Sequence, residues 1–271
     1  MFLKRFFNLF LLTLTVFASS SAVALDQSYA AFDALLKKHV AWNAAGVAST
    51  INYKGFQADR ADLKKVLDEF SGLSKADYSN LKRDEKLAFL INTYNAYTIE
   101  LILTKYPDLK SIKDLGSFTQ SPWKKQFFKL LGEDKGLDNV EHDMIRAAGA
   151  FDEPRIHFAV VCASIGCPAL RPEAVTAAKL ETQLEDGAKR FLKDKSRNRF
   201  NKQSGKLEVS KIFDWYKGDF EKGHKGITSR EVFFAKYADL LTDDATAQQQ
   251  IKDGKVSISH LDYDWNLNDR K

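Results

Sequence analysis

Apolar residues recur at helical spacing along most of the chain, and strict alternation of apolar and polar residues is confined to short stretches. Residues three or four positions apart share one face of a helix, so this pattern predicts helices that each bury one side. The clearest helix is predicted over about residues 84–106, ending before Pro107, which cannot continue a helix. Earlier helices are predicted over residues 26–42 and 58–70.

The second half of the chain mixes helices with short strands. Asp138 and Glu141 have the spacing of a capping box, which predicts the start of a helix. Residues 155–163 are rich in apolar and β-favouring side chains, which predicts a buried strand, and Pro172 suits the first position of another helix. Alternation over residues 256–260 predicts a final strand. The sequence therefore predicts one α+β domain, helix-rich, with a small and mainly antiparallel sheet.

The N-terminal residues have the pattern of a targeting signal. A positive start is followed by a largely apolar run over residues 6–18 and by the small residues Ala22 and Ala24. This pattern predicts a secretory signal peptide over residues 1–24, cleaved after Ala24. The run is shorter than the roughly 20 apolar residues that span a bilayer. Residues 25–271 are expected to form a single globular domain, periplasmic or secreted, with no transmembrane segment after signal removal.

Composition and charge narrow the classes of function. Hydrophobic residues make up 44% of the chain, as in an ordinary globular protein. The formal net charge of +5 becomes +3 without Lys4 and Arg5, and lysines alternate with acids in the manner of solvated helix faces. We therefore expect no nucleic-acid partner. No phosphate-binding glycine loop, dinucleotide fingerprint or paired-histidine zinc motif is found, so neither a cofactor nor a metal is expected. The expected partner is an envelope small molecule, peptide or protein.

Five ordered blocks of the sequence resemble one family. They are residues 88–99, 141–146, 155–168, 210–216 and 263–268. Together they resemble the bacterial and plant domain of unknown function numbered 547, with a family-like core over about residues 82–268. The family name carries no reaction, so the resemblance implies a relationship without implying an activity.

The two cysteines are the sharpest chemical feature. Cys162 and Cys167 are the only cysteines in the sequence and lie five positions apart. In an oxidising envelope this pair predicts a disulfide. The alternative is a catalytic thiol, which requires a lowered pKa. Cys167 precedes Pro168 and is expected at the start of a helical turn, where the helix dipole favours a thiolate, whereas Cys162 is expected to be buried in a strand.

Two histidines near the cysteines in sequence are candidate bases for a thiol nucleophile. His142 is the first choice, because the neighbouring Glu141 has a capping role and His142 has none. His157 is expected to face away from Cys162, since residues alternate faces along a strand. A buried histidine bonded to the backbone is therefore an equally good interpretation of His157, and Glu141 is also a candidate ligand-binding residue.

The remaining candidates lie elsewhere in the chain. His260 on the predicted final strand is a third candidate base, with Asp264 as an orienting acid, because papain-like thiol enzymes use the order cysteine, histidine, then acid or amide. Asn92 and Asn95 share one face of the long helix, where they either hold a neighbouring loop or bind a ligand. Trp215 is expected to pack inside a corner of the core, or to offer a platform for a sugar.

Two functions remain open from the sequence. The first is an exported binding or assembly module, in which a Cys162–Cys167 disulfide acts as a staple. The second is a thiol-dependent, papain-like hydrolase or transferase that acts on an envelope peptide or amide. The second requires a free thiol within reach of a histidine, and the first requires neither.

Overall fold

The computed structural model describes residues 25–270, and the predicted signal peptide lies outside them. The helices are α1 (Ala30–His39), α2 (Tyr53–Ala58), α3 (Arg60–Gly72), α4 (Lys75–Asn80), α5 (Arg83–Leu103), α6 (Leu180–Lys193), α7 (Ile212–Trp215), α8 (Arg230–Lys236), α9 (Ala238–Leu241) and α10 (Ala245–Lys252). The strands are β1 (Val40–Trp42), β2 (Ser49–Ile51), β3 (Phe128–Leu130), β4 (Glu133–Lys135), β5 (Arg199–Asn201), β6 (Lys206–Val209) and β7 (Ile258–His260).

Short turns of tighter or wider helix connect these elements. A π-helix spans Asn139–Ile145. The 3-10 helices are Ile112–Leu115, Pro122–Lys124, Pro154–Phe158, Ala177–Lys179, Lys217–Phe220 and His224–Gly226.

The sheets are small and mostly antiparallel. β1 pairs with β2, β3 with β4 and β5 with β6, all antiparallel, and β7 joins β6 as a parallel third strand. The predicted α+β class with a mainly antiparallel sheet is therefore confirmed. Within residues 25–270 the structure contains no helix that is both long and apolar enough to cross a membrane.

The long predicted helix is confirmed as α5, and it forms the centre of the molecule. Every side chain over residues 87–99 is buried. A helix that is buried on all sides is a core helix, and the segments around it must cover it completely. Its start is fixed by Glu85, whose carboxylate accepts a hydrogen bond from the backbone N–H of Lys82 at 2.7 Å.

Two amides of α5 hold the chain that follows the π-helix. Asn92 Nδ2 donates to the carbonyl of Val175 at 2.7 Å, and Asn92 Oδ1 accepts from the Val175 N–H at 2.9 Å. Asn95 Nδ2 donates to the carbonyl of Ala159 at 2.9 Å, and its Oδ1 accepts from the Val161 N–H at 3.0 Å. Both side chains therefore replace the backbone partners that a strand would supply, and neither lines the main cavity.

This amide pairing explains two wrong predictions. Residues 155–163 do not form a strand. They contain most of the 3-10 helix Pro154–Phe158, whose first turn is capped by Glu153 accepting from the Arg155 N–H at 3.1 Å. The helix predicted from Pro172 starts only at α6, because the backbone of Val175 is bonded to Asn92 of α5 and a 3-10 helix over Ala177–Lys179 comes before α6. In both places tertiary hydrogen bonds override the local pattern.

Two clusters of buried side chains form the core. The larger one surrounds α5. The smaller one joins α6, α7 and α8 and is rich in phenylalanine, including Phe158, Phe213 and Phe233. Phe158 stacks on Phe233 with ring centroids 5.8 Å apart, so the segment that leads to the cysteines is anchored in the smaller cluster.

Candidate active site

A cavity of about 230 Å³ lies beside the turn that carries the two cysteines. Six of the residues that the sequence indicated line it. They are Glu141, His142, His157, Cys162, Cys167 and Trp215. The other four, Asn92, Asn95, His260 and Asp264, do not line this cavity. The fold thus gathers side chains that are far apart in sequence around one space.

The C-terminal tail holds the cysteine turn in place. The Ile165 N–H donates to the carbonyl of Asn266 and the Gly166 N–H to that of Asp264, each at 2.8 Å. A Cβ at Gly166 would lie 3.0 Å from the backbone N and O of Asp264, so glycine permits this close approach. Ala163 has φ 61°, a left-handed conformation that is costly for a residue with a side chain. The hydrogen bonds to the C-terminal tail therefore hold the turn in a backbone conformation that includes a left-handed residue.

The Cys162 thiol is surrounded by hydrogen-bond donors. Its Sγ lies 2.9 Å from Cys167 Sγ, 3.0 Å from Ser164 Oγ and 3.0 Å from the Tyr263 hydroxyl. Hydrogen bonds to the thiolate, first from Cys167 and then from Ser164 and Tyr263, lower the pKa of Cys162 to about 7, although burial opposes the shift. Burial raises the pKa of Tyr263, so its hydroxyl keeps the proton that it donates.

Cys167 has the opposite character. Burial, followed by its contact with Cys162, raises the pKa of the Cys167 thiol. No helix begins at Pro168, so the expected contribution of a helix dipole is missing. Both cysteines are free thiols, with sulfur atoms 2.9 Å apart, against about 2.05 Å in a disulfide. Of the two, Cys162 is the thiol whose pKa the surrounding hydrogen bonds lower.

His157 is oriented by a carboxylate that the sequence did not point to. His157 Nε2 and Asp219 Oδ2 lie 2.8 Å apart, and the imidazole stacks on Tyr216 with ring centroids 3.8 Å apart. Burial lowers the pKa of His157, which keeps the ring neutral at pH 7. Burial would raise the pKa of Asp219, but hydrogen bonds from His157 and Arg146 hold it well below its usual range. The expectation that His157 faces away from Cys162 depended on the strand and is wrong, since both line the cavity.

His142 lies at the more exposed side of the cavity. Arg146 donates a hydrogen bond to its Nδ1, which leaves the ring proton of the neutral form on Nε2. That nitrogen lies 3.8 Å from Asp138 Oδ1. Burial raises the pKa of Asp138. His142 therefore presents an N–H donor, and its lone pair is already occupied by Arg146.

Glu141 does not have the capping role that the sequence predicts. Asp138 has helical dihedral angles, φ −54° and ψ −41°, and its side chain caps nothing. Glu141 is only 4% exposed, and within the described part of the chain its Oε1 atom has no hydrogen-bond partner. The π-helix Asn139–Ile145 presents it to the cavity, and such widened turns are frequent at functional sites. Burying a carboxylate oxygen without a hydrogen-bond partner is costly.

Aromatic rings form the other wall of the cavity. Trp215 stacks on Trp265 with centroids 5.6 Å apart and contacts Tyr263 at 4.9 Å, and Trp123 contacts Trp265 at 5.9 Å. Trp215 is 48% exposed, so the expectation that it packs inside the core is wrong. Lys113 places its Nζ 3.9 Å above the centre of the Trp265 ring.

The third histidine lies apart from this cavity. His260 Nε2 and Arg230 Nη1 are 3.2 Å apart, and burial lowers the pKa of His260. Asp264 uses its carboxylate to accept hydrogen bonds from the backbone and side chain of Asn266. Neither residue contacts a cysteine side chain. Over residues 25–270, no group of three or more His, Cys, Asp or Glu side chains has an arrangement that could hold a metal ion.

Ser164, Asp219 and Tyr263 are the site residues that sequence reasoning missed. Ser164 and Tyr263 both lie in family-like blocks, but only the folded tail brings the Tyr263 hydroxyl to 3.0 Å from Cys162. Asp219 meets His157 across 62 positions of sequence and carries no local signal.

Fold and cavity together define a helix-rich α+β protein with an ionisable thiol in an aromatic-walled cavity. Residues 78–192 match the model of a family described as "Protein of unknown function, DUF547", which confirms the resemblance over that range. The C-terminal blocks at residues 210–216 and 263–268 lie outside the match, yet they contribute Trp215 and Tyr263 to the cavity. No curated protein and no solved structure matches this chain.

Proposed function

We propose that this protein is a thiol-dependent enzyme that cleaves or transfers an acyl group, with Cys162 as the nucleophile. The observation that carries the proposal is the convergence of three donors on Cys162 Sγ inside a cavity that two histidines also line. A thiolate is the reactive form of cysteine, and these donors stabilise it near neutral pH.

The proposed reaction begins with the Cys162 thiolate, which forms when the Cys162 thiol gives its proton to neutral His157. The resulting imidazolium is stabilised by Asp219. The sulfur attacks the carbonyl carbon of an amide or ester, a C–S bond forms, and an electron pair moves onto the carbonyl oxygen. The hydroxyls of Ser164 and Tyr263, which stabilised the thiolate, donate to this oxyanion as the charge moves.

The second half of the reaction restores the enzyme. The tetrahedral intermediate collapses, the bond to the leaving nitrogen or oxygen breaks, and the imidazolium of His157 protonates the leaving group. Water or an acceptor nucleophile then attacks the thioester and gives its proton to His157. Cys162 leaves as the thiolate, so protons and electrons balance over the cycle.

His142 is assigned a different role from the one that the sequence favours. Its Nδ1 accepts from Arg146, so its lone pair is not free to take the thiol proton. Its Nε2–H can donate to a bound substrate. His157→Gln is therefore expected to slow acylation of Cys162 more than His142→Gln does.

Trapping the acyl-enzyme tests the proposal. Folded protein is mixed with p-nitrophenyl acetate, and intact mass is measured at short times. We expect the gain of one acetyl group, mapped to Cys162 by peptide digestion and missing in Cys162→Ala. Acetylation spread over lysines, with Cys162 unmodified, contradicts the proposal.

A second function, a binding or assembly module, is favoured by one observation. The two sulfur atoms are 2.9 Å apart, so little movement separates the thiols from a disulfide. Exchange with the disulfide of a partner would oxidise the two thiols to a Cys162–Cys167 disulfide, and the partner would accept the two electrons and two protons. Cys162 would then no longer be a nucleophile. Alkylation of protein purified without reductant separates the two functions. If neither cysteine is labelled even after denaturation, the module is favoured. Fast labelling of Cys162 in the folded state favours the enzyme.

Export is proposed from residues 1–24, whose pattern supports a cleaved secretory signal and a periplasmic or secreted location. The intact mass of protein recovered from the envelope fraction checks this. A mature chain that begins at Leu25 is the expected result, and a full-length chain in the cytoplasm contradicts it.

A further inference from the structure

The cavity around Cys162 combines carboxylates with aromatic rings. Asp138 and Glu141 contribute the carboxylates, and Tyr94, Trp123, Trp215, Tyr216, Tyr263 and Trp265 contribute the rings. Among the residues that line it there is no lysine and no arginine. A cavity of this composition favours a positively charged ligand, because anionic oxygens and the faces of aromatic rings both attract cations.

We propose that the cavity binds substrates that carry a primary ammonium group, with Glu141 as its principal hydrogen-bond acceptor. This inference rests on the proposed function, because it assigns the substrate class of the same site: an amine-bearing amide or ester whose carbonyl meets Cys162.

Glu141 is the strongest reason for a ligand that donates hydrogen bonds. Its side chain is buried, and its Oε1 atom has no partner among the residues that the structure describes. The guanidinium of Arg146 attracts the Glu141 carboxylate but does not hydrogen-bond to Oε1, because its hydrogen bonds go to His142 and Asp219. A primary ammonium has three N–H donors, so one of them can donate to the Glu141 carboxylate, which lines the cavity.

Two aromatic rings of the cavity wall already bind cations of the protein itself. Arg146 lies over the Tyr216 ring at 4.9 Å, and Lys113 lies over the Trp265 ring at 3.9 Å. Neither cation lines the cavity, so the protein already uses these rings as cation-binding surfaces from outside. These two rings are also stacked on His157 and Trp215, so a ligand ammonium inside the cavity would meet other lining rings, those of Trp123 and Tyr263, together with the carboxylate of Glu141.

The donor requirement separates primary from quaternary ammonium groups. An aromatic cage alone accepts a quaternary ion, but a quaternary ion has no N–H to donate to the Glu141 carboxylate. The structure therefore predicts the preference order primary ammonium, then quaternary ammonium, then neutral isostere.

Tryptophan fluorescence of the full-length folded protein tests the proposal with three probes of similar size. Benzylamine, which is an ammonium at neutral pH, is titrated beside benzyltrimethylammonium and benzyl alcohol. We expect benzylamine to bind at least about tenfold more tightly than benzyl alcohol, as for a charged hydrogen bond combined with a cation–π contact. Equal dissociation constants for the charged and neutral probes overturn the proposal.

Two variants assign the effect to Glu141. Glu141→Gln keeps the shape and removes the charge, so benzylamine should weaken by about tenfold while benzyl alcohol is unchanged. Glu133→Gln, in the exposed β3–β4 hairpin, is the matched control and should leave all three constants unchanged. If Glu141→Gln keeps the full preference for benzylamine, the assignment is wrong. Unchanged binding of benzyl alcohol shows that the variant is folded. The comparison of the three probes on the wild-type protein does not depend on the folding of any variant.

The two proposals fail in different ways. p-Nitrophenyl acetate carries no cation, so acetylation of Cys162 without any ammonium preference overturns this inference alone. An ammonium preference that depends on Glu141, without acetylation of Cys162, overturns the enzyme proposal and leaves a site that binds amines.

Discussion

Asn95 and Glu141 are both buried polar side chains, and the fold treats them in opposite ways. Asn95 uses both ends of its amide, donating to Ala159 and accepting from Val161. Glu141 is equally buried, but its Oε1 has no partner within residues 25–270. A buried polar group with all its partners stabilises a fold, whereas one without them lowers its stability. The difference separates a residue that stabilises the fold from one that we propose binds a ligand.

Cys162→Ala should have the largest effect of these substitutions, which is on the chemical reactivity of the site. It also shows whether Cys162 resembles Asn95 or Glu141 in its effect on stability. Acetylation and alkylation at this position should disappear completely, because the substitution removes the proposed nucleophile. The free energy of unfolding should change by less than about 1 kcal/mol, since the substitution removes only a small side chain beside a cavity. Chemical denaturation and peptide mapping measure the two effects. A change of several kcal/mol in the free energy of unfolding would show that Cys162, like Asn95, has a structural role.

Asn95→Ala should be the most destabilising of the polar substitutions. It leaves the Val161 N–H and the Ala159 carbonyl without partners in a buried segment, which costs about 2–4 kcal/mol. The free energy of unfolding from urea denaturation gives the value. A loss below about 0.5 kcal/mol, within the range of an ordinary surface substitution, would contradict the structural role.

Tyr263→Phe should change the site without changing the fold. It removes one of the hydrogen bonds to the Cys162 thiolate, so the pKa of Cys162 should rise from about 7 by about one unit, equivalent to about 1.4 kcal/mol. The pH dependence of the alkylation rate measures the shift. The rate at pH 7 should fall accordingly, because less thiolate is present. Tyr237→Phe, which removes a hydroxyl bonded to Glu185, is a control that should leave the pKa of Cys162 unchanged.

Glu141→Gln should have the smallest effect on stability. Its Oε1 loses no hydrogen bond, and an amide is less costly to bury than a carboxylate. We expect unfolding free energy within about 0.5 kcal/mol of the wild type, or slightly higher. Destabilisation as large as that of Asn95→Ala would remove the contrast between the two residues and indicate a structural role for Glu141.

The parts of the fold that local pattern determines were predictable from sequence. The apolar character of α5 and the stop before Pro107 predicted the central helix, and the alternation before His260 predicted β7. The segment before Cys162 was mistaken for a strand, because its β-favouring side chains are apolar for packing while its backbone bonds to Asn95. Local sequence cannot show that an amide from another element supplies those hydrogen bonds.

The candidate site was predictable only in its residue types. The sequence indicates four reactive side chains that line the cavity: Cys162, Cys167, His142 and His157. One of the hydrogen bonds that lower the pKa of Cys162 comes from Tyr263, which lies 101 positions after Cys162 and reaches it only through the folded tail. The sequence favoured Cys167 through a helix start that the structure does not have.

The pH dependence of alkylation in the folded protein tests the central claim most directly. Reduced protein is treated with iodoacetamide from pH 5 to pH 10, and the labelled cysteine is identified at each pH. We expect Cys162 to react first, with a rate that rises with pH to half of its maximum at about pH 7, as the thiolate forms. Preferential labelling of Cys167, or a midpoint near the roughly 8.5 of an ordinary thiol, would contradict the assignment of Cys162 as the nucleophile.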